Sequence, residues 1–359
     1  MDRRDALRTM LAALAAPRAY DAGLGAGAPS VATLIGSGAP GYSDREVNDP
    51  YGLAIGPDGA LYFCDLGNQR IRRIDLATRR TSTVAGNGRK AYAGDGGKAV
   101  DASLSMPHEI QFDADGHLYI VERDNHVVRR VDAATGVIST FAGTGTAGFS
   151  GDGGAASRAQ LRSPHSVVVD RARRRLLICD IGNQRIREVD LVTGVIETFA
   201  GTGERAPTPD GAPLDRTPLN GPRSIALDDA GTLYLALREG NAIYRVDMST
   251  RTLHHVAGTG AQGYSGDGGQ ARIATFAGPK GLAWARDALF VVDTENHVIR
   301  RIDLASGIIT TVLGTGRRGD GPEPDPLRCA LARPHGVLVD TRGALYVGDS
   351  EAHRIRVVV

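Results

Sequence analysis

The sequence has little of several features that would assign a function class directly. Three cysteines among 359 residues are too few for a disulfide framework. The formal net charge of +1 argues against a nucleic-acid partner, because nucleic-acid-binding domains usually carry a basic excess on one face. No stretch is long and apolar enough to span a membrane. We therefore expect a globular protein without a nucleic-acid partner or a membrane span.

Two common catalytic signatures are missing as well. No glycine-rich phosphate loop follows a strand and opens a helix, and no serine nucleophile elbow is present. Aromatic residues make up only 5% of the chain, and many of the tyrosines fall in predicted buried strands. An aromatic-rich binding face is therefore disfavoured, because exposed aromatic side chains supply much of the affinity of protein interfaces.

What the sequence does contain is one unit repeated six times. The six units begin at prolines that lie 57, 57, 58, 57 and 55 residues apart, namely Pro50, Pro107, Pro164, Pro222, Pro279 and Pro334. A period of this length indicates blades or stacked units.

Each unit has the pattern of four short strands. In the second unit an apolar strand after Pro107 is followed by the turn 113–116, the strand 118–122, the strand 125–132 and an outer strand starting at 140. No unit shows a helical hydrophobic period, so four strands per repeat predict propeller blades. The predicted fold is all-β, a six-bladed β-propeller of four-stranded blades over residues 30–359.

The two ends of the chain predict how the ring closes. A Thr-Val/Phe-Ala-Gly pattern marks the fourth strand of most units, for example at Thr83, Thr140 and Thr198, but the chain ends at Val359 without it. A related segment, Thr33 to Gly38, lies near the other terminus. We expect this N-terminal strand to complete the sixth blade, which leaves no large free edge.

The units resemble NHL repeats. The resemblance rests on the pairs Asn125-His126 and Asn296-His297, and the linkers 148–154 and 263–269 are similar to a bacterial variant of that family. It implies the propeller fold and says little about function, because one fold hosts binders and enzymes alike.

Residues 1–29 are predicted to lie outside the propeller, as a tail or an export signal. Arg3, Arg4 and Leu7 precede a short apolar run and resemble a twin-arginine signal. This segment predicts a periplasmic or secreted protein. The alternative is a tail without function on a cytoplasmic protein.

The position after each proline is predicted to face the mouth of the channel, where propellers place their functional groups. Around the ring this position reads Tyr51, His108, His165, Arg223, Lys280 and His335. Three imidazoles predict a divalent metal site at His108, His165 and His335, with zinc first and copper or iron as alternatives. The other interpretation is three polar residues that face a water-filled channel.

The Pro-His pairs also resemble the metal-binding histidines of peptidyl-hydroxyglycine alpha-amidating lyases, which implies the same three ligands. In that family the ligands lie on alternating blades, whereas here they lie on blades two, three and six.

Acids and cations near the ring complete the predicted site. Glu122 stands where other blades carry aspartate, so it is a candidate general base or a group that fixes an imidazole tautomer. Glu109 and Tyr51 are further candidates for proton transfer. Arg223, Lys280 and Arg238 are predicted to bind an anionic substrate.

Other repeated residues are predicted to be structural. The remaining bend aspartates should accept backbone hydrogen bonds. Three histidines of the third-strand signature, His126, His297 and His353, should belong to the repeat rather than to the site. We expect the arginines of the Ile-Arg-Arg pattern to lie on solvated blade faces.

Two functions remain open at this point. The first is a monomeric metal-dependent lyase or hydrolase that acts on a small, anionic substrate. The second is a non-catalytic propeller that binds a peptide, glycan or protein on its upper face.

Overall fold

The structure, a computed structural model, describes residues 28–359 and consists of six antiparallel sheets. The predicted export signal at Arg3, Arg4 and Leu7 falls on residues outside this range. Five sheets have their four main strands in sequential order, and in the sixth the N-terminal strand Val31–Ile35 is the outer strand. Two of the sheets add a two-residue strand, Gly154–Ala155 or Ala212–Pro213. The predicted all-β, six-bladed propeller is confirmed.

The strands of each blade run from the channel outwards. The first three blades are Pro50–Ile55, Leu61–Asp65, Arg70–Ile74, Thr81–Ala85; Pro107–Phe112, Leu118–Glu122, Val127–Val131, Ile138–Ala142; and Val167–Asp170, Arg175–Asp180, Arg185–Asp190, Val195–Ala200. The last three are Pro222–Leu227, Leu233–Leu237, Ala242–Asp247, Thr252–Ala257; Pro279–Ala285, Ala288–Asp293, Val298–Asp303, Ile309–Leu313; and Gly336–Val339, Leu345–Asp349, Arg354–Val358, Val31–Ile35.

Short 3-10 turns are the helical elements of residues 28–359. They lie in bends and linkers, at Leu66–Asn68, Ala99–Asp101, Ala156–Arg158, Ile181–Asn183, Ala271–Ile273, Thr294–Asn296 and Ser350–Ala352. Within this range no helix has the length and apolar character needed to cross a membrane.

The N-terminal strand closes the ring as predicted. Val31–Ile35 pairs antiparallel with Arg354–Val358, with Val31 opposite Val358. Ser30 N donates to Val359 O at 2.8 Å, and Val359 N donates back to Ser30 O at 3.0 Å. The first and last described segments therefore share one blade, and the third strand of blade six has no free edge.

Apolar side chains between neighbouring blades form the core. One cluster joins Leu177 and Ile186 of blade three to Leu235 and Val246 of blade four, and similar clusters recur around the ring. The three cysteines, Cys64, Cys179 and Cys329, are unpaired and buried in this core. Each blade is thus stabilised chiefly by its neighbours, as in other repeat proteins.

A hydrogen bond links every blade to the next through the residue that ends the bend between the second and third strands. His126 Nδ1, for example, accepts the backbone N–H of Ser163 at 3.0 Å. The six acceptors are Gln69, His126, Gln184, Asn241, His297 and His353, all in the left-handed region of φ. The prediction that the three histidines of this set are structural is confirmed.

The arginines of the Ile-Arg-Arg pattern correct one expectation. The first arginine of the motif is buried in five blades, where it ion-pairs with the bend acid of its own blade at 3.1–3.7 Å. These arginines are Arg72, Arg129, Arg187, Arg300 and Arg356, each at most 2% exposed. The expectation of solvated arginines is therefore wrong for this position, because the strand directs the guanidinium inwards, towards a carboxylate.

The glycine-rich linkers cover these buried arginines. Arg129 ion-pairs with the linker residue Asp95 at 2.6 Å and lies over the ring of Tyr92, and Arg300 is held in the same way by Asp267 and Tyr264. The linker aspartates thus have a second role besides turn formation, because each neutralises a buried guanidinium.

Candidate functional site

The residues after the prolines meet around the central axis. Four blades pair the proline with the bend residue at the end of the second strand, as Pro107 does with Glu122, and a register shift follows in each of these four. The side chain after the proline is thereby turned towards the channel. Four members of the ring are at least 94% buried: His108, Arg223, Lys280 and His335.

Consecutive side chains of the ring are in contact. The rings of His165 and His108 lie 4.7 Å apart, those of His108 and Tyr51 4.8 Å, and those of Tyr51 and His335 4.0 Å, stacked. Lys280 Nζ lies 3.2 Å from His335 Nε2. The structure therefore brings together five of the predicted site residues in one continuous chain of contacts.

Hydrogen bonds assign the same tautomer to the three ring histidines. Nδ1 of His108 faces the Met106 carbonyl oxygen at 3.0 Å, and Nδ1 of His165 faces the Ser163 carbonyl oxygen at 2.7 Å. A carbonyl oxygen only accepts, so each Nδ1 carries a hydrogen. Each Nε2 therefore keeps a lone pair.

His335 has this tautomer through a different partner. Ser350 Oγ donates to the Pro50 carbonyl oxygen at 2.7 Å and can accept from His335 Nδ1 at 3.0 Å. Nε2 of His335 is then an acceptor for Lys280 Nζ and for Tyr51 Oη, which lies at 3.1 Å. Tyr51 and Lys280 are thus both placed to donate a hydrogen bond to this nitrogen.

The ring histidines are neutral bases. Burial holds the pKa of His108, His165 and His335 well below the usual 6.5, and the positive charge of Arg223 acts in the same direction on all three. Burial also raises the pKa of the Tyr51 hydroxyl to about 12. Near neutral pH the channel wall therefore combines three neutral imidazoles with a protonated phenol.

Arg223 differs from the other ring residues in its lack of hydrogen-bond partners among the described residues. Its side chain is 5% exposed, and within residues 28–359 its guanidinium has no hydrogen-bond or ion-pair partner. Burial lowers the pKa of this guanidinium, while the charges of Tyr51 and Glu109 raise it. Its nitrogens are not among the fully enclosed polar atoms without a partner, so they are open to solvent and can pair with a bound anion.

Glu109 is an acid next to the ring residue His108, and its carboxyl group is influenced by the charge of Arg223. Burial raises the pKa of its carboxyl group to about 7, and Arg223 opposes this rise. The other five blades carry glycine or serine at this position: Gly52, Ser166, Ser224, Gly281 and Gly336. A Cβ on Gly52 would lie 2.3 Å from Glu109 Oε1, so the glycine of blade one provides the space that Glu109 occupies.

Two predicted site residues are not part of this cluster. Glu122 is fully buried in blade two, where it accepts hydrogen bonds from Ser105 N, Asn125 Nδ2 and Arg129. It therefore does not fix the tautomer of His108, which the Met106 carbonyl does. Arg238 is 42% exposed and ion-pairs with Glu239 at 2.9 Å.

The three histidines do not form a ready metal site in this arrangement. Their nitrogens are not among the groups of described residues whose possible ligand atoms all lie within 4.8 Å of one another. The ring of Tyr51 lies between His108 and His335, and the Nε2 atom of His335 faces Lys280. A divalent ion held by all three would require Tyr51 and Lys280 to move, so the metal stays a prediction.

One group of described residues does bring three possible ligand atoms within 4.8 Å of one another. It consists of Asp113, Asp115 and His117 in a turn of blade two. Both nitrogens of His117 already face donors, Ala133 N and Arg130. This turn is therefore accounted for without a metal ion.

Three residues near the site were missed from the sequence. Glu295 accepts from Lys280 Nζ at 2.9 Å and from Arg333, and Ser350 holds His335. A signal was present, because the bend carries a hydroxyl residue after its aspartate only in blades five and six, at Thr294 and Ser350.

Comparisons with known proteins agree with the fold. Residues 79–150 match the family described as Teneurin NHL domain, and residues 331–358 match the NHL repeat. The chain is 28% identical over 303 residues to Protein SUPPRESSOR OF QUENCHING 1, chloroplastic, of Arabidopsis thaliana, an alignment that covers 81% of this chain and 28% of that protein. It is 26% identical over 329 residues to human NHL repeat-containing protein 2, covering 88% and 40% respectively.

The chain spans less than half the length of these curated relatives. Among solved structures, a gluconolactonase from Xanthomonas campestris superposes with a TM-score of 0.60 at 15% identity, covering 95% of this chain and 94% of that one. At this identity the likeness concerns the fold. The chain is thus a six-bladed propeller, and two of its segments match NHL models.

Proposed function

We propose that the protein is an enzyme of the lyase or hydrolase class that binds a small carboxylate in its central channel. The observation that carries the proposal is the buried guanidinium of Arg223, which lacks a partner within residues 28–359. A planar guanidinium binds a carboxylate through two parallel hydrogen bonds, and burial makes such a pair stronger than it is in water.

Proton transfer is the chemistry that the surrounding groups support. The Nε2 atoms of His108 and His165 can accept a proton from a bound substrate, because both imidazoles are neutral. Tyr51 and His335 form a second pair that can exchange a proton over 3.1 Å. Glu109, with a pKa of about 7, can act as acid or base near neutral pH.

The divalent ion predicted from the histidines is a separate proposal, and no step above depends on it. Elemental analysis of protein purified without an affinity tag tests it, with the triple variant His108→Ala, His165→Ala, His335→Ala beside the parent. Stoichiometric metal in the parent and none in the folded variant would support the ion.

Ligand binding tests the carboxylate site. Thermal unfolding would be followed with a panel of small mono- and dicarboxylates, for the parent, Arg223→Gln and the control Arg216→Gln, which removes an exposed arginine of blade four. A ligand at a hundred times its Kd adds about 2.7 kcal/mol to stability. We expect a rise in Tm for the parent and Arg216→Gln only.

The same panel separates the two functions. Turnover of a bound carboxylate, followed by NMR, would support the enzyme. Stabilisation without turnover would favour a non-catalytic binding propeller, and an equal response of Arg223→Gln and the parent would contradict the carboxylate site itself.

A further inference from the structure

Lysine is rare in this chain, and one lysine lies in the channel. Of the 42 basic residues three are lysines, Lys90, Lys98 and Lys280. Lys90 and Lys98 are exposed, whereas Lys280 is 5% exposed. An arginine would supply the same charge, but only a lysine can lose its proton and act as a nucleophile. The ring therefore contains a lysine, whose amine can react, in a chain whose other basic residues are almost all arginines.

The surroundings of Lys280 can remove its proton. Nζ lies 3.2 Å from Nε2 of His335, whose other nitrogen is hydrogen-bonded to Ser350. Glu295 accepts a hydrogen bond from Lys280 Nζ at 2.9 Å, but this carboxylate is shared with Arg333, which contacts both of its oxygens. The amine of Lys280 therefore faces a nitrogen lone pair that can accept its proton.

The neighbouring cation limits the kind of substrate. Arg223 and Lys280 follow the prolines of adjacent blades, and their inner strands are neighbours around the ring. A carboxylate held by Arg223 would place the next carbon of the ligand towards Lys280. An amine reacts with that carbon when it is a carbonyl, so the fitting ligand is a small 2-oxo acid.

We propose that Lys280 forms a covalent imine with the carbonyl carbon of a small 2-oxo acid whose carboxylate is held by Arg223. The inference rests on the proposed function, because it uses the same carboxylate site. It adds the substrate class and a nucleophile.

The step balances without a cofactor. Lys280 Nζ transfers one proton to His335 Nε2, and its lone pair forms a C–N bond while the carbonyl π electrons move to oxygen. That oxygen takes the proton from His335 to give a carbinolamine. The carbinolamine nitrogen is then a secondary ammonium, and it gives a second N–H proton to His335 Nε2. Its lone pair forms the C=N bond while the C–O bond breaks, and His335 delivers that proton to the departing hydroxyl, which leaves as water. Nothing is oxidised or reduced, and the protonated imine can withdraw electrons in a lyase reaction.

Reductive trapping tests the imine. The purified chain would be incubated with pyruvate or glyoxylate and sodium borohydride, and analysed by intact mass and peptide mapping. We expect one reduced adduct, on Lys280. Lys90 and Lys98 serve as controls within the same molecule, since their exposure would favour labelling if the reaction were unspecific.

Variants and a neutral aldehyde separate the two parts of the proposal. Lys280→Arg and Lys280→Met should abolish the adduct, and Arg223→Gln should lower the rate of pyruvate trapping relative to that of propanal about tenfold or more. Labelling of Lys90 and Lys98 equal to that of Lys280 would overturn the inference. The inference would also be overturned if the parent bound pyruvate in an Arg223-dependent way but formed no adduct. That result would leave the proposed carboxylate site intact. Trapping of propanal without an Arg223-dependent preference for pyruvate would instead overturn the carboxylate site.

Discussion

At the scale of single residues, the site depends on groups that differ from the repeat. Five blades place glycine or serine after the ring position because neighbouring inner strands approach closely there. A Cβ on Gly336, for instance, would lie 2.1 Å from Tyr51 O. Glu109 is the exception, and Gly52 opposite provides its space. An ionisable group kept in such a position points to a role in the channel rather than in packing.

Glu109 should make anion binding depend on pH. Its pKa is raised to about 7, so the carboxyl group is neutral below that pH and competes for Arg223 as an anion above it. We expect the affinity for a carboxylate to fall as the pH rises from about 6 to about 8.5. In Glu109→Gln the ratio of the two Kd values should be about tenfold smaller than in the parent. Titration calorimetry at both pH values measures these Kd values.

The loss of carboxylate affinity that remains in Glu109→Gln at high pH is due to Lys280, which loses its proton near pH 8. Identical pH profiles for parent and variant would show that Glu109 does not face the bound anion.

At the scale of one blade, five blades contain a buried ion pair between the bend acid and an arginine. Blade four has two uncharged residues in its place. Where other blades carry Asp and Arg, blade four carries Leu237 and Tyr244, both buried. The Tyr244 hydroxyl donates to the Thr208 carbonyl oxygen. Both members changed together, as expected if either charge alone would be left uncompensated in the core.

Blade five allows this coupling to be measured. Asp293 and Arg300 ion-pair at 3.5 Å and are both fully buried. Arg300→Tyr alone should lower the free energy of unfolding by about 3–5 kcal/mol, because it leaves the buried Asp293 carboxylate without its cation. Asp293→Leu should cost less, because Asp267 still pairs with Arg300. The double variant, which copies blade four, should lose less than Arg300→Tyr alone.

Chemical denaturation of the parent, both single variants and the double variant gives the coupling free energy. Additive losses in the double variant would contradict the view that the two residues act as a pair.

At the scale of the whole molecule, closure decides whether the ring has an exposed edge. The strand Val31–Ile35 covers Arg354–Val358, and Thr33 Oγ1 also binds Glu323 and Arg356. Without this strand the third strand of blade six would present unpaired backbone groups, which favour association with other chains.

A chain that starts at residue 39 should therefore unfold at a lower temperature and self-associate, relative to a chain that starts at residue 28. Differential scanning calorimetry and light scattering compare the two. Equal Tm values and equal monomer content would show that the closing strand is dispensable.

The sequence by itself determined the number of blades, their four strands and the closing segment. These follow from local patterns, namely a constant period, alternating apolar residues and turn signals, which need no knowledge of distant contacts. It also placed Arg223, Lys280 and the three histidines in one ring, because equivalent repeat positions occupy equivalent places around an axis.

Only the tertiary structure decided how those side chains relate to one another. Tyr51 and His335 meet across 284 residues of sequence, and Arg223 is left without a partner within residues 28–359, whereas the arginines of the repeat are buried in ion pairs. Glu122 matched the sequence pattern of a catalytic acid, yet its hydrogen bonds to Ser105 and Asn125 place it in the scaffold. Hydrogen-bond partners, tautomers and burial depend on three-dimensional distances, which a repeat pattern does not contain.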